Sequence, residues 1–470
     1  MKKFLCMFIV LLMLVTLSSC ASSSHEEQNN QENQEKIGQE NPLTSEEVME
    51  KINAAMGELV SYELKNESEV VSYVAGSKLT ISANSHNIVF LEKETVNYFY
   101  LSSTLSTQYA GVETKLNTLE AFNDEKYFLS SSLGENKTKI YSELTAKEFE
   151  DFYNERNENL SFIDGYNSVS HVKNDDGTYT VTLSDFNQEN IDELNSSYGF
   201  PSEAGGGKII DYNVTLSVGS DFLIRNVDID YLFSNTAFSG KETVTFSNFN
   251  NAKKMLNAIN PDKYNKVDDV RAISLYNSLI EDKAASNAEA FRFLFDQYVV
   301  FGNGRSQNSQ DDEVSYGIDN GKYYFEINSE VNGEKNNLTY NDEVCKLNGE
   351  INSIYCSSDE EAKKIINDYF NPFGLVLINA KNVTVTEEVL GTLYNIELDN
   401  VSGTMVDFMK NIYATAGANY HSSSFHLMFL VNEDNLVSVM YRIIGDGYIV
   451  QNYQTNHIDI NIEVTIEFLD

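Results

Sequence analysis

Cys345 and Cys356 flank an Asn348-Gly349 pair, and two thiols so placed have two fates. Asn-Gly between short apolar runs is a strong hairpin signal, so the cysteines belong to neighbouring strands and either bridge as a disulfide or persist as free thiols. With the turn centred on Asn348-Gly349, Cys345 opposes a residue near Asn352 and Cys356 falls beyond bridging distance, because disulfide geometry tolerates little displacement. The C-x-x-C spacing of redox catalysis is missing. Of the six histidines, His421 and His426 are the nearest pair, and on an extended strand they point to opposite faces, which disfavours a shared metal. His86, His171 and His457 meet only through the fold. The 71 acidic residues against 33 basic ones read as a solvated face before they read as a catalytic pair. The chain has no G-x-S-x-G, H-E-x-x-H, P-loop or EF-hand pattern. Gly205-Gly206-Gly207 precedes Lys208 without Walker spacing and reads as a loop; Gly302-Asn303-Gly304 reads as a turn. No metal, no cofactor and no enzymatic activity are implied.

The N-terminus carries a different chemistry. Lys2 and Lys3 precede an apolar run from Phe4 to Leu17 that ends in Leu17-Ser18-Ser19-Cys20, a segment too short for a membrane span and shaped as a removable export signal. The junction resembles the lipobox of bacterial lipoproteins. The resemblance implies that residues 1–19 are removed, that the Cys20 thiol takes a diacylglyceryl group, and that the protein is lipid-anchored at the cell membrane, facing outside the cytoplasm. Two or three acyl chains, at about 0.8 kcal/mol per buried CH₂, give the stable anchoring that one chain does not.

From Ala21 to Asn41 the only large apolar residue is Ile37. Such a stretch buries too little surface to offset its ordering entropy. Residues 20–43 therefore read as a lipidated cysteine and tether, with His25 solvated, holding the globular part roughly 25 Å from the lipid. The formal charge of -38 becomes -40 once Lys2 and Lys3 leave (-38 minus 2). A surface that acidic repels nucleic acid and anionic head groups and favours a cationic partner. The 28 Tyr and 27 Phe supply ample core material.

An internal repeat sets the domain plan. Phe122-Asn123-Asp124, Ala146-Lys147, Phe152-Tyr153-Asn154, Gly177-Thr178, Asp221-Phe222-Leu223-Ile224 and Val244-Thr245-Phe246 recur in order. Their counterparts are Tyr340-Asn341-Asp342, Ala362-Lys363, Tyr369-Phe370-Asn371, Gly391-Thr392, Asp434-Asn435-Leu436-Val437 and Val464-Thr465-Ile466. Asn41-Pro42 and Asn260-Pro261 open the two series. A fixed order at a nearly fixed, domain-sized period indicates tandem duplication. The expected domains are 44–256 and 262–470, joined by a linker at 257–261.

Each domain is expected to open with a helix. Thr44 and Glu47 form a capping-box pattern, and Val48, Ile52, Met56 and Leu59 make one stripe over about Ser45 to Val60. In the second domain Asp268 is the expected cap. Ala288 to Phe301 fits helix or strand equally. The period then changes to two, as in Tyr179-Val181-Leu183, Tyr212-Val214-Leu216-Val218 and the C-terminal row Ile458 to Phe468, which is the mark of antiparallel sheet with one face covered. Shorter helices are expected at Ala146 to Asn154, Gln188 to Leu194, Asp359 to Tyr369 and Met405 to Tyr413.

The fold class is therefore α+β: two tandem domains, each a curved antiparallel meander with an N-terminal helix and short helices over one face. That plan resembles the LolA, LolB and LppX lipoprotein-carrier superfamily. The resemblance implies an open half-barrel whose helices close over an apolar cavity for acyl chains, although inward apolar residues equally fill a core. Three functional classes stay open: a binding protein for a lipid or other apolar ligand, a surface interaction module contacting another envelope component or a cationic partner, and an enzyme. Strands without alternating full helices speak against a transporter's substrate-binding lobe.

Overall fold

The computed structural model describes residues 43–469, apart from breaks of one to three residues and the longer stretches 158–164, 192–208, 371–379 and 399–417. Cys20 and the tether, the Gly205-Gly206-Gly207 loop and the pattern from Met405 to Tyr413 lie outside the described residues. Helix α1 (Ser45–Gly57) is followed by β1 (Ser61–Val74), β2 (Ser77–Glu92), β3 (Thr95–Tyr109), β4 (Val112–Asn123), β5 (Lys126–Leu133) and β6 (Asn136–Glu143). After α2 (Ala146–Asn157) come β7 (Tyr166–Lys173), β8 (Tyr179–Phe186), β9 (Ile209–Val218), β10 (Ile224–Phe233) and β11 (Ser239–Ser247). A short β12 (Asn265–Lys266) and α3 (Ala272–Ala285) lead to β13 (Ala288–Phe301), β14 (Gly304–Asp319), β15 (Lys322–Val331), β16 (Glu334–Asn341), β17 (Val344–Leu347) and β18 (Glu350–Ile351). Then α4 (Asp359–Phe370) precedes β19 (Ala380–Glu388), β20 (Gly391–Leu398), β21 (Ala418–Asn432), β22 (Asn435–Gln451) and β23 (Gln454–Leu469).

Two large open sheets result. The hydrogen-bonded order of the first is β12-β6-β5-β4-β3-β2-β1-β11-β10-β9-β8-β7, and of the second β18-β17-β16-β15-β14-β13-β23-β22-β21-β20-β19. With β12 set aside, adding twelve to each strand number of the first order yields the second. The first and last strands of each half lie side by side, Leu64 opposite Phe246 and Phe293 opposite Ile466. Helices α2 and α4 occupy the same place in each series. The β4–β5 and β16–β17 turns also match: φ is +50° and +55° at Asp124 and Glu125, and +50° and +61° at Asp342 and Glu343. Positive φ at both central residues gives the twist that a tight hairpin needs.

Local signals explain most elements. Thr44 N donates to Glu47 Oε2 at 2.7 Å and Glu47 N to Thr44 Oγ1 at 3.2 Å, closing the capping box. Val48, Ile52 and Leu59 are buried, although α1 ends at Gly57, short of the expected Val60. Ala288–Phe301 is strand, because β14 and β23 pair with it along nearly its whole length. Asp268 does not cap α3. Its carboxylate accepts from Val385 N at 3.0 Å and its own N–H donates to Val383 O at 3.1 Å, because edge strand β19 offers backbone groups left free by the sheet. Helix α3 begins after Arg271 with no side-chain cap.

The chain divides into two compact units, residues 43–127 with 144–259, and Phe128–Glu143 with residues 260–469. The hairpin Phe128–Glu143 thus groups with the second half across the expected boundary at 257–261. Within that unit β12 pairs in parallel with β6, Asn265 opposite Ile140, and Val270 N donates to Ser142 Oγ at 3.1 Å. Phe128 lies 5.4 Å from Tyr141 and 5.2 Å from Tyr264.

Candidate functional site

Successive strand residues point to opposite faces, so register assigns each side chain a side. In the second sheet, the side bearing Phe291, Phe293, Val464 and Ile466 is buried and lies beneath α4. Ser358 Oγ accepts from Glu361 N at 3.3 Å to start that helix, and Ala362, Ile366 and Phe370 fall on one buried stripe. Tyr369 stands edge-on to Phe293 at 4.9 Å, and Phe370 lies 5.2 Å from Phe291. Helix α3 joins through Tyr276, which donates to the hydroxyl of Tyr441 on β22, which in turn donates to Phe370 O at 2.7 Å. Burial holds both phenols far above their ordinary pKa, so they act as hydrogen-bonding groups and not as acids.

A polar row crosses this apolar face. Asp312 on β14 is 0% exposed; its Oδ2 accepts from Gln310 Nε2 at 2.7 Å and from Tyr369 OH at 2.5 Å. Its Oδ1 has no partner. Gln297 on β13, 1% exposed, accepts from Asn308 Nδ2 at 2.6 Å through Oε1 and leaves Nε2 unpartnered. Turning the amide over only changes which end is left over. Burial, and then the Asp312 carboxylate, push the Tyr369 hydroxyl above its ordinary pKa.

The first sheet repeats the arrangement with other residues. The Thr145 and Glu148 capping box starts α2, and Phe149 stacks on Phe122 at 4.1 Å while Tyr153 meets Phe99 edge-on at 5.4 Å. On that face Glu242 accepts from Asn66 Nδ2 at 2.6 Å and from Tyr231 OH at 2.8 Å, and Glu120 accepts from Tyr127 OH at 2.6 Å. Asn66 Oδ1 and Asn87 Oδ1 are buried without partners. The pairing of Leu64 with Asn87 and of Asn66 with Ser85 sets both on the side of Leu64. Unpaired inward atoms therefore sit on β1 and β2 in one sheet and on the equivalent β13 and β14 in the other. Sequence reading passed over these residues. Their signal is a polar residue at the next place in a period-two apolar row, as in Tyr62-Leu64-Asn66 and Phe291-Phe293-Phe295-Gln297.

The residues singled out by type are dispersed, with one exception. His171 Nδ1 bonds Ser45 Oγ at 2.9 Å, His426 Nδ1 bonds Asn395 Oδ1 at 3.1 Å, and His86 lies 3.6 Å from Glu63. Among the described residues no group of three His, Cys, Asp or Glu is gathered for a metal. The exception is the cysteine pair. Asn352 N donates to Cys345 O at 2.9 Å, as the turn at Asn348 and Gly349 requires, but the chain turns again at Ile354-Tyr355 and returns Cys356 to Cys345. Both are buried free thiols, set near enough for each to act on the other. The expectation that Cys356 lies out of reach fails because it extended the strand beyond Ile351.

No family model and no curated protein matches this chain. Sixty-two solved chains match. One is a DUF1329 family protein from Desulfovibrio piger, at 10% identity and TM-score 0.19, over 46% of this chain and 96% of that one. Another is CghA with Sch210972, at 7% and 0.11, over 87% and 88%. A third is OpdL from Pseudomonas aeruginosa, at 7% and 0.12, over 88% and 99%. Scores this low assign neither fold nor function.

Proposed function

We propose that this protein is a non-catalytic lipoprotein, anchored outside the cytoplasm through Cys20, whose two duplicated half-barrel domains bind an amphipathic ligand between sheet and helices. The observation that carries the reading is the set of unpaired polar atoms on largely apolar faces beneath the helices. A face built only as core gains nothing from Asn66, Asn87, Gln297 and Asp312, since each unpaired buried group costs about 1–3 kcal/mol. A bound molecule with an apolar body and hydroxyl or N–H donors recovers that cost. Three of the four atoms are acceptors, and the nearby Glu120, Glu242 and Asp312 disfavour an anionic head group. The matching strand orders support duplication, and helices laid over antiparallel sheet support the carrier resemblance.

Two measurements test the reading. Cys20→Ser should move the protein from the membrane to the soluble fraction; a variant still lipid-labelled refutes the anchor. Native mass spectrometry of the membrane-extracted protein, followed by titration with a fluorescent monoacylglycerol, should show saturable uptake. A clean apo mass with no uptake of any lipid probe overturns ligand binding. It would promote the second reading, an interaction module for another envelope protein. In that reading Val389 and Leu390, exposed at 101% and 67% on the β19–β20 turn, are the residues to substitute first.

A further inference from the structure

We propose that Cys345 and Cys356 are joined by an intramolecular disulfide that ties β17 to the start of α4. Each cysteine is held in place by bonds that do not involve sulfur. Cys345 pairs with Tyr340 across β16 and β17, and Tyr340 OH donates to Asp359 Oδ1 at 2.7 Å in the first turn of α4. Cys356 precedes Ser357, whose N and Oγ both donate to Glu361 Oε2, at 2.6 and 2.8 Å. The strand end and the helix start thus bring thiol against thiol, each 2% exposed. A bridge asks that these neighbouring sulfurs close to bonding distance.

The oxidant is an external disulfide, the class carried by thiol–disulfide oxidoreductases and by oxidised glutathione. One cysteine gives its proton to water, attacks as thiolate to form a mixed disulfide, and expels a thiolate that takes a proton back from water. The second cysteine gives its proton to water, attacks the mixed disulfide and expels the other. Two protein thiols are oxidised to one disulfide, and the external disulfide is reduced to two thiols. The exchange belongs to the open chain. In the folded one, burial and then the Cys345 neighbour raise the Cys356 thiol, and the thiolate is the reactive form. Once the bridge is made, the same burial keeps reductants away. The geometry stands alone, whereas the supply of oxidant rests on the export reading.

Cells are fractionated, quenched with N-ethylmaleimide in denaturant, and the protein is digested with trypsin without reduction. Cleavage after Lys335, Lys346 and Lys363 puts Cys345 in peptide 336–346 and Cys356 in peptide 347–363. If the protein is in the envelope fraction, one linked peptide that separates on reduction is expected; two maleimide-bearing peptides overturn the proposal. If it is cytoplasmic, the export reading fails and refolding of the reduced chain in a glutathione couple decides. A linked peptide then supports the bridge, and two separate peptides overturn it.

Discussion

Tyr369 on α4 donates its hydroxyl to Asp312 on β14 at 2.5 Å, linking the covering helix to a carboxyl group with no solvent exposure. Phe291 and Phe293 stand edge-on to the tyrosine ring at 5.6 and 4.9 Å. In apolar surroundings the bond is stronger than in water, and leaving its acceptor unpaired costs more.

Removing one partner and removing both have different consequences. Tyr369→Phe leaves Asp312 with Gln310 alone and should destabilise the protein by about 1–3 kcal/mol in urea unfolding. Asp312→Leu alone strands the Tyr369 hydroxyl and the Gln310 amide and should cost a similar amount, whereas Asp312→Leu combined with Tyr369→Phe removes both partners and should be less destabilising than either single change. Asp312→Leu should also lose lipid uptake in the second sheet. A large loss of stability without any change in uptake would assign Asp312 to the core.

Alkali should unfold the protein through its buried phenols. Tyr98 is pushed up to about 12 from the ordinary 10.0, by burial first and against the lowering effect of the Met255 N–H at 2.7 Å. Tyr62, Tyr276 and Tyr441 shift the same way. A folded-state pKa above the unfolded one means that the stabilisation is complete below pH 10 and is lost as pH climbs through about 12. Tyrosinate absorbance should rise in two steps, the second coinciding with loss of circular dichroism. A single step near pH 10 with structure intact would contradict burial of these hydroxyls.

The matching turns predict matching mutational effects. Glu125 and Glu343 hold positive φ without being glycine, a conformation that costs side-chain-bearing residues about 1–2 kcal/mol. Glu125→Gly and Glu343→Gly should each stabilise the protein, by roughly 0.5–1 kcal/mol in urea unfolding after the extra freedom of the unfolded glycine is subtracted. Opposite signs at the two sites would break the equivalence of the turns.

What the sequence determined by itself was everything carried by near neighbours. The Thr44 and Glu47 cap, the stripe of α1, the alternation of β8, β9 and β23, and the turn at Asn348-Gly349 depend on spacings of a few residues, and each stands in the structure. The triplets Phe122-Asn123-Asp124 and Tyr340-Asn341-Asp342 fall at turns of matching place in the two strand orders. Tertiary structure alone decided the strand state of Ala288–Phe301, the bond from Asp268 to Val385 across 117 residues, the grouping of hairpin Phe128–Glu143, and the return of Cys356 to Cys345. It also decided which polar residues face inward without a partner. Hydrogen bonding and burial are settled by whichever group lies nearest in space, and spacing along the chain does not record that distance.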